Sequence, residues 1–154
     1  MHPLAAKLVL YGAIGLLIEV GFTGLWSLVN RNWKASGHTY LWMLPVYGLT
    51  AMVLEIVSES LPWPFYLKAL VYLPVIYGAE SLSGATIRLV TAQLQRWFGG
   101  HGGGVIPWDY KHSKWTPMGL INLKYTPFWL LVGFAFEPIS DTLRAVVNYL
   151  AKVH

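Results

Sequence analysis

Four glutamates stand inside long apolar stretches of this chain: Glu19, Glu55, Glu80 and Glu137. An ionised carboxylate facing lipid costs roughly 3 kcal/mol on insertion scales. If these stretches cross a bilayer, each glutamate must face the protein interior or a wet cavity. Such groups can serve two kinds of purpose. As structural elements they pair with cations, Glu80 with Arg88 for example, or stay protonated and donate hydrogen bonds across helices, because burial favours the neutral carboxyl. As functional elements they carry protons or cations, or hold a polar solute or headgroup. A di-metal carboxylate centre is a third option. It needs Glu-x-x-His motifs, and no histidine lies three residues after any of these glutamates. No metal site is expected.

Four further residues join the candidates for substrate or ion binding, the first being Arg88 on the helix that carries Glu80. His38 follows Gly37 at the start of an aromatic run, where it can bind, or simply cap and hydrogen-bond. Asp109 and Tyr110 sit in Pro107-Trp108-Asp109-Tyr110, as a loop-borne acid with its neighbour or as plain turn residues. No Gly-x-Ser-x-Gly, His-Glu-x-x-His or nucleotide fingerprint occurs. The glycine-rich run 98–104 lacks the Gly-Lys-Ser/Thr of a phosphate loop, and reads as a linker. With no cysteine, disulfides, thiolate metal sites and Cys nucleophiles are excluded. No catalytic residue and no cofactor are expected, and the reading favours a protein that is not an enzyme.

The elements that position these residues follow from composition. The chain has 154 residues, 55% of them hydrophobic and 12% charged, about half the usual charge of a soluble domain. A soluble domain so poor in charge would expose large apolar patches. The 11 Lys and Arg are too few and too scattered for a nucleic-acid stripe. Length allows one domain over 1–154. About 20 apolar residues cross a hydrocarbon core, and four windows qualify: roughly 8–30, 40–58, 65–88 and 127–148. The spacing therefore predicts an all-α integral membrane four-helix bundle. The first window is too long for a signal-peptide core, contains Glu19, and has no small-residue cleavage site after it, so it reads as a retained helix.

Pro64 and Pro127 suit first helical positions, and Thr126 suits a cap. Pro45, Pro74 and Pro138 fall inside windows and predict bends. Spacing of three and four places Gly12, Gly15, Glu19, Thr23 and Trp26 on one face. The same rule groups Gly48, Ala51, Met52, Glu55 and Glu59. It also groups Tyr77, Glu80, Ser81, Gly84, Arg88 and Thr91. The last face holds Gly133, Glu137, Ser140, Asp141, Arg144 and Asn148, with Asp141 set to pair with Arg144. Small residues beside polar ones suit close packing of membrane helices. Trp and Tyr cluster near the window ends, as in an interfacial belt.

The segment 97–126 is too long for a tight turn and too rich in tryptophan for disorder. It reads as an interfacial or re-entrant loop between the third and fourth helices. With four spans, the loops 31–39 and 96–124 share one side. They carry Arg31, Lys34, Arg96, Lys111, Lys114 and Lys124, against Lys7, Lys68 and Lys152 on the other. That asymmetry places both loops in the cytoplasm and the termini outside, in the plasma membrane if the source is bacterial.

Together, Gly37–Gly48 (GHTYLWMLPVYG), Tyr77-Gly78-Ala79-Glu80 with Gly84 and Arg88, Pro107–Tyr110, Gly119–Tyr125 and Pro127-Phe128-Trp129 with Gly133 and Glu137 form a pattern. In this order they resemble the small four-helix type IV ABC-transporter permease-like (CmpB-like) family, which has multi-pass relatives in animals. The resemblance runs from about residue 10 to 140. It implies an integral membrane protein of that fold and a permease-like role. One departure is Lys111, where the family often has a small hydroxyl residue. If the chain is such a permease, its ATPase is a separate subunit. A thin 154-residue transporter without internal repeats further implies a homo-oligomer or larger complex in the lipid bilayer. Two other roles compete with transport: a lipid-binding protein or enzyme at the headgroup interface, and an accessory subunit without chemistry of its own.

Overall fold

The computed structural model describes residues 2–100, 103–105, 108, 110 and 113–153. The described elements are four α-helices and two short 3₁₀ turns, with no strand among them. The helices are α1 (Pro3–Val29), α2 (Met43–Ser60), α3 (Phe65–Trp97) and α4 (Thr126–Val153). The 3₁₀ turns are Pro117–Gly119 and Leu123–Tyr125. The expected all-α class is met, and each helix coincides with a predicted window. Two helices, α1 and α3, are long and apolar enough to cross a membrane.

The helices outrun the apolar windows for local reasons. α1 begins at Pro3, with the His2 ring accepting a hydrogen bond from the Leu4 N–H. It closes with a paired C-terminal motif: Arg31 N–H donates to Leu28 O (2.8 Å) and Asn32 N–H to Ser27 O (3.0 Å). Arg31 takes the left-handed position, φ 62°, that such a motif usually gives to glycine. α3 continues nine residues past Arg88 through Ala92, Gln93, Leu94 and Gln95, good helix formers too polar for an apolar window. It ends in the same motif, with Gly99 at φ 76° and Gly100 N–H on Gln95 O (2.7 Å). Pro64 caps α3 rather than opening it, and Thr126 is the first residue of α4. Pro74 and Pro138 are helix-internal. Pro45 lies third in α2, where an N–H has no intrahelical acceptor, so no bend is needed there.

The chain forms two compact units. One comprises Met1–Ser60 with Glu137–His154, the other Leu61–Phe136. In the first, α1 and α2 pack antiparallel through glycine. A Cβ added at Gly12 would meet the Leu44 carbonyl oxygen at 2.5 Å, and one at Gly48 would overlap the Leu8 carbonyl oxygen. Leu8 and Gly12 are one turn apart, as are Leu44 and Gly48, so each helix presents its glycine to the other's backbone. Gly15 seats Tyr47 in the same contact. In the second unit Tyr72 is fully buried and meets Phe136 edge-on at 5.4 Å, while Gly133 lies against Ala69.

Candidate functional site

The first unit holds an ionic cluster built from three pairs of residues, each pair one helical turn apart. α1 supplies Lys7 and Tyr11, α2 supplies Glu55 and Glu59, and α4 supplies Ser140 and Arg144. Glu55 is 5% exposed. Lys7 Nζ lies 2.8 and 2.9 Å from its two carboxylate oxygens, and Arg144 Nε lies 3.5 Å from Oε1. The Arg144 guanidinium also bonds Glu59 and Asp141, the latter at 2.6 Å. Beside this cluster Tyr11 Oη and Ser140 Oγ bond at 2.8 Å in a buried setting, and Ser58 donates to Glu137 at 2.8 Å. Two cations on one buried carboxylate make charge-assisted bonds, which are stronger than neutral ones. The position of Glu55 is that of a fixed strut.

A second polar contact ties the α1–α2 connection to α1. Thr23 Oγ1 accepts from the His38 N–H (2.9 Å) and donates among the Glu19, Val20 and His38 carbonyls (2.9–3.2 Å). Thr39 Oγ1 donates to the Glu19 carboxylate. Gly37 sits so close to the Val20 carbonyl that a Cβ would overlap it. His38 is exposed, its ring edge-on to Tyr40 at 6.4 Å. The structure uses its backbone to dock the connection.

In the second unit Gly104, Val105 and Trp108 lie against the polar stripe of α3. Val105 N–H donates to Thr91 Oγ1 (2.7 Å). Trp108 packs on Gly84 together with Leu120, and the Trp108 indole N–H donates to Leu120 O (3.0 Å). Tyr77 Oη and Thr126 Oγ1 bond at 2.6 Å. Tyr110 meets Tyr125 edge-on at 5.9 Å, and the Tyr110 N–H donates to Gly119 O (3.0 Å). Glu80 Oε2 is fully buried within this arrangement. Burial first, and then the Glu80 charge, push the Tyr125 phenol above its usual range. Glu80 and Asp109 are the only acids between residues 61 and 136.

Set against the sequence-based candidates, the structure joins Glu19 to the His38 segment, and Glu80 to the Tyr110–Tyr125 neighbourhood. Glu55 takes Lys7 and Arg144, and Glu137 takes Ser58. Asp109 lies outside the described residues. The expected Asp141–Arg144 pair is present. The expected Glu80–Arg88 pair is not: Arg88 is exposed, and among the described residues no carboxylate bonds its guanidinium. The two are eight residues apart, more than two turns, beyond the reach of neighbouring side chains on a helix.

Sequence reasoning groups Glu59 with Glu55 on one face but misses Lys7 and Tyr11 as members of their cluster. The signal existed, since Lys7/Tyr11, Glu55/Glu59 and Ser140/Arg144 each repeat at four. The register that brings three helices together is not written in any one of them. No solved structure matches this chain. Its residues 7–153 match one family along nearly the whole length. The chain belongs to that family, described as Putative ABC-transporter type IV.

Proposed function

We propose that the chain is a single four-span membrane domain with a permease-like role, in which Glu80 is the carboxylate that meets a proton, a cation or a small polar solute. The observation that carries this reading is an inside-out distribution of side chains. Leu17 on α1, Ile56 on α2, Leu82 on α3 and Leu131 on α4 are each between 64% and 72% exposed, while Glu55 is 5% exposed. Water would drive that pattern the other way, and lipid favours it. Within the first unit Glu55, Glu59 and Asp141 all pair with Arg144, and Lys7 brings a second cation to Glu55. Pairing of this kind is what allows charged residues in a span.

Glu55 is occupied by its cations. Glu80 acts on the phenols of Tyr77 and Tyr125, groups able to hand protons or coordinate a partially dehydrated cation, and Tyr110 meets Tyr125 edge-on. Trp108 and Leu120 cover the stripe at Gly84, and the 105–125 segment that carries them is read as the gate. Transport by a subunit this thin calls for a homo-oligomer or a larger complex, with the ATPase on a separate polypeptide.

The test is flux in proteoliposomes holding a pH-sensitive dye. Wild-type protein is expected to dissipate an imposed proton gradient, and Glu80→Gln to leave it standing. Equal flux in folded Glu80→Gln protein would remove Glu80 from the pathway. If that variant also kept its native complex, the chain would be an accessory subunit.

A further inference from the structure

The connection between α1 and α2 is rigidly built, yet it leaves its most water-averse side chains outside. Trp33 and Leu41 are each 84% exposed. Arg31 and Lys34, on either side of Trp33, are exposed as well. No acidic residue occurs between Glu19 and Glu55, and among the described residues neither cation makes an ion pair. A slack loop could tuck Trp33 away. This one is held by Arg31 and Asn32 on the last turn of α1, by Asn32 accepting from the Lys34 and Ala35 N–H groups (3.2 and 3.1 Å), and by Thr23 on both sides of the His38 backbone.

The backbone at Arg31 adds a second, independent observation. At φ 62° glycine would be the unstrained residue, and Arg stands there instead. Ala35 takes φ 49° in the same connection; strain kept at both positions fixes the backbone on either side of Trp33, and with it the root of the Arg31 side chain. That side chain is the cation next to the exposed indole.

The geometry points to a binding site for an anionic phospholipid headgroup, with Trp33 and Leu41 seated in the interfacial layer and Arg31 and Lys34 on the phosphate. The inference rests on the four-span reading and names the lipid class at one membrane interface. Three features select this occupant. The site continues from the end of α1, an apolar helix long enough to span. An indole prefers the headgroup level, and a guanidinium binds a phosphate through paired hydrogen bonds. A zwitterionic headgroup brings its own cation to a place that already has two, whereas an anionic one neutralises them.

The test uses full-length protein in phosphatidylcholine vesicles containing a minor fraction of phosphatidylglycerol, with one or the other lipid brominated to quench tryptophan. Brominated phosphatidylglycerol is expected to quench wild-type protein more strongly than brominated phosphatidylcholine at equal mole fraction. Trp33→Phe should remove most of that excess. Each lost cation should weaken the anionic preference roughly fivefold, so Arg31→Gly and Lys34→Gln together should abolish it. Arg31→Gly also relaxes the backbone, so its thermal stability should hold or rise while lipid preference falls. An excess that survives in the double variant, or is absent from wild type, overturns the inference. No quenching by either lipid would overturn the membrane reading itself, and this site with it.

Discussion

Glu55→Ala should cost about 3 kcal/mol of stability, the low end for removing one partner of a buried ion pair. Glu55 is buried, whereas Lys7 and Arg144 keep 26% and 31% of their side chains exposed, so part of their lost interaction is recovered by solvent. The change leaves two cations facing an apolar space without their shared acceptor. Replacing Lys7, Glu55 and Arg144 together by methionine removes charge and desolvation cost at once, and should recover most of the loss. Thermal unfolding in detergent micelles reads both effects. A loss below about 1 kcal/mol for Glu55→Ala is what exposed ion pairs show, and would mean that water reaches the cluster.

Gly48→Val is the second large effect. Its Cβ would overlap the carbonyl oxygen of Leu8, which is helix backbone and cannot rotate away. Overpacking commonly costs 1–3 kcal/mol, and a backbone obstacle places this variant at about 3 kcal/mol. Gly12→Val meets the Leu44 carbonyl in the reciprocal position and should behave alike. Both contacts lie in one helix pair, so the double variant should fall short of the sum once α1 and α2 have separated. Gly78→Ala is the control, because nothing lies within 4 Å of its added Cβ. Equal stability of Gly48→Val and Gly78→Ala would contradict the packing described for α1 and α2.

The helices were legible because each has a long apolar stretch and an identifiable stop. Pro64 and Thr126 with Pro127 marked two starts to within a residue. The ends were less legible, because an apolar window measures membrane thickness while a helix continues as long as its residues propagate it. Gln93 and Gln95 carry α3 onward to the glycine that stops it. The polar faces were legible in outline: Glu19 and Thr23 do share a face, and it is the one that receives Thr39 and His38. Partner choice was not. Arg88 shares a face with Glu80, which offers it as one partner, but eight residues exceed the reach of a pair on one helix. Arg144 has its acids on α2 as well as on its own helix. Lys7 reads as a terminal charge in sequence, and becomes a partner of Glu55 only because Gly12 and Gly48 let α1 and α2 approach closely enough to set that register.

Both the permease-like role and the lipid site stand on four membrane crossings, and the sequence offers a clean way to count them. The chain has no cysteine, so a single introduced thiol reports one position without background. Lys34→Cys, Ser60→Cys, Lys114→Cys and Ala151→Cys sample the three connections and the C-terminal end, with labelling by a membrane-impermeant maleimide in sealed vesicles of one orientation. Positions 34 and 114 should react from one side, and 60 and 151 from the other. Labelling of 34 and 60 from the same side, or of all four without permeabilisation, would contradict four spans.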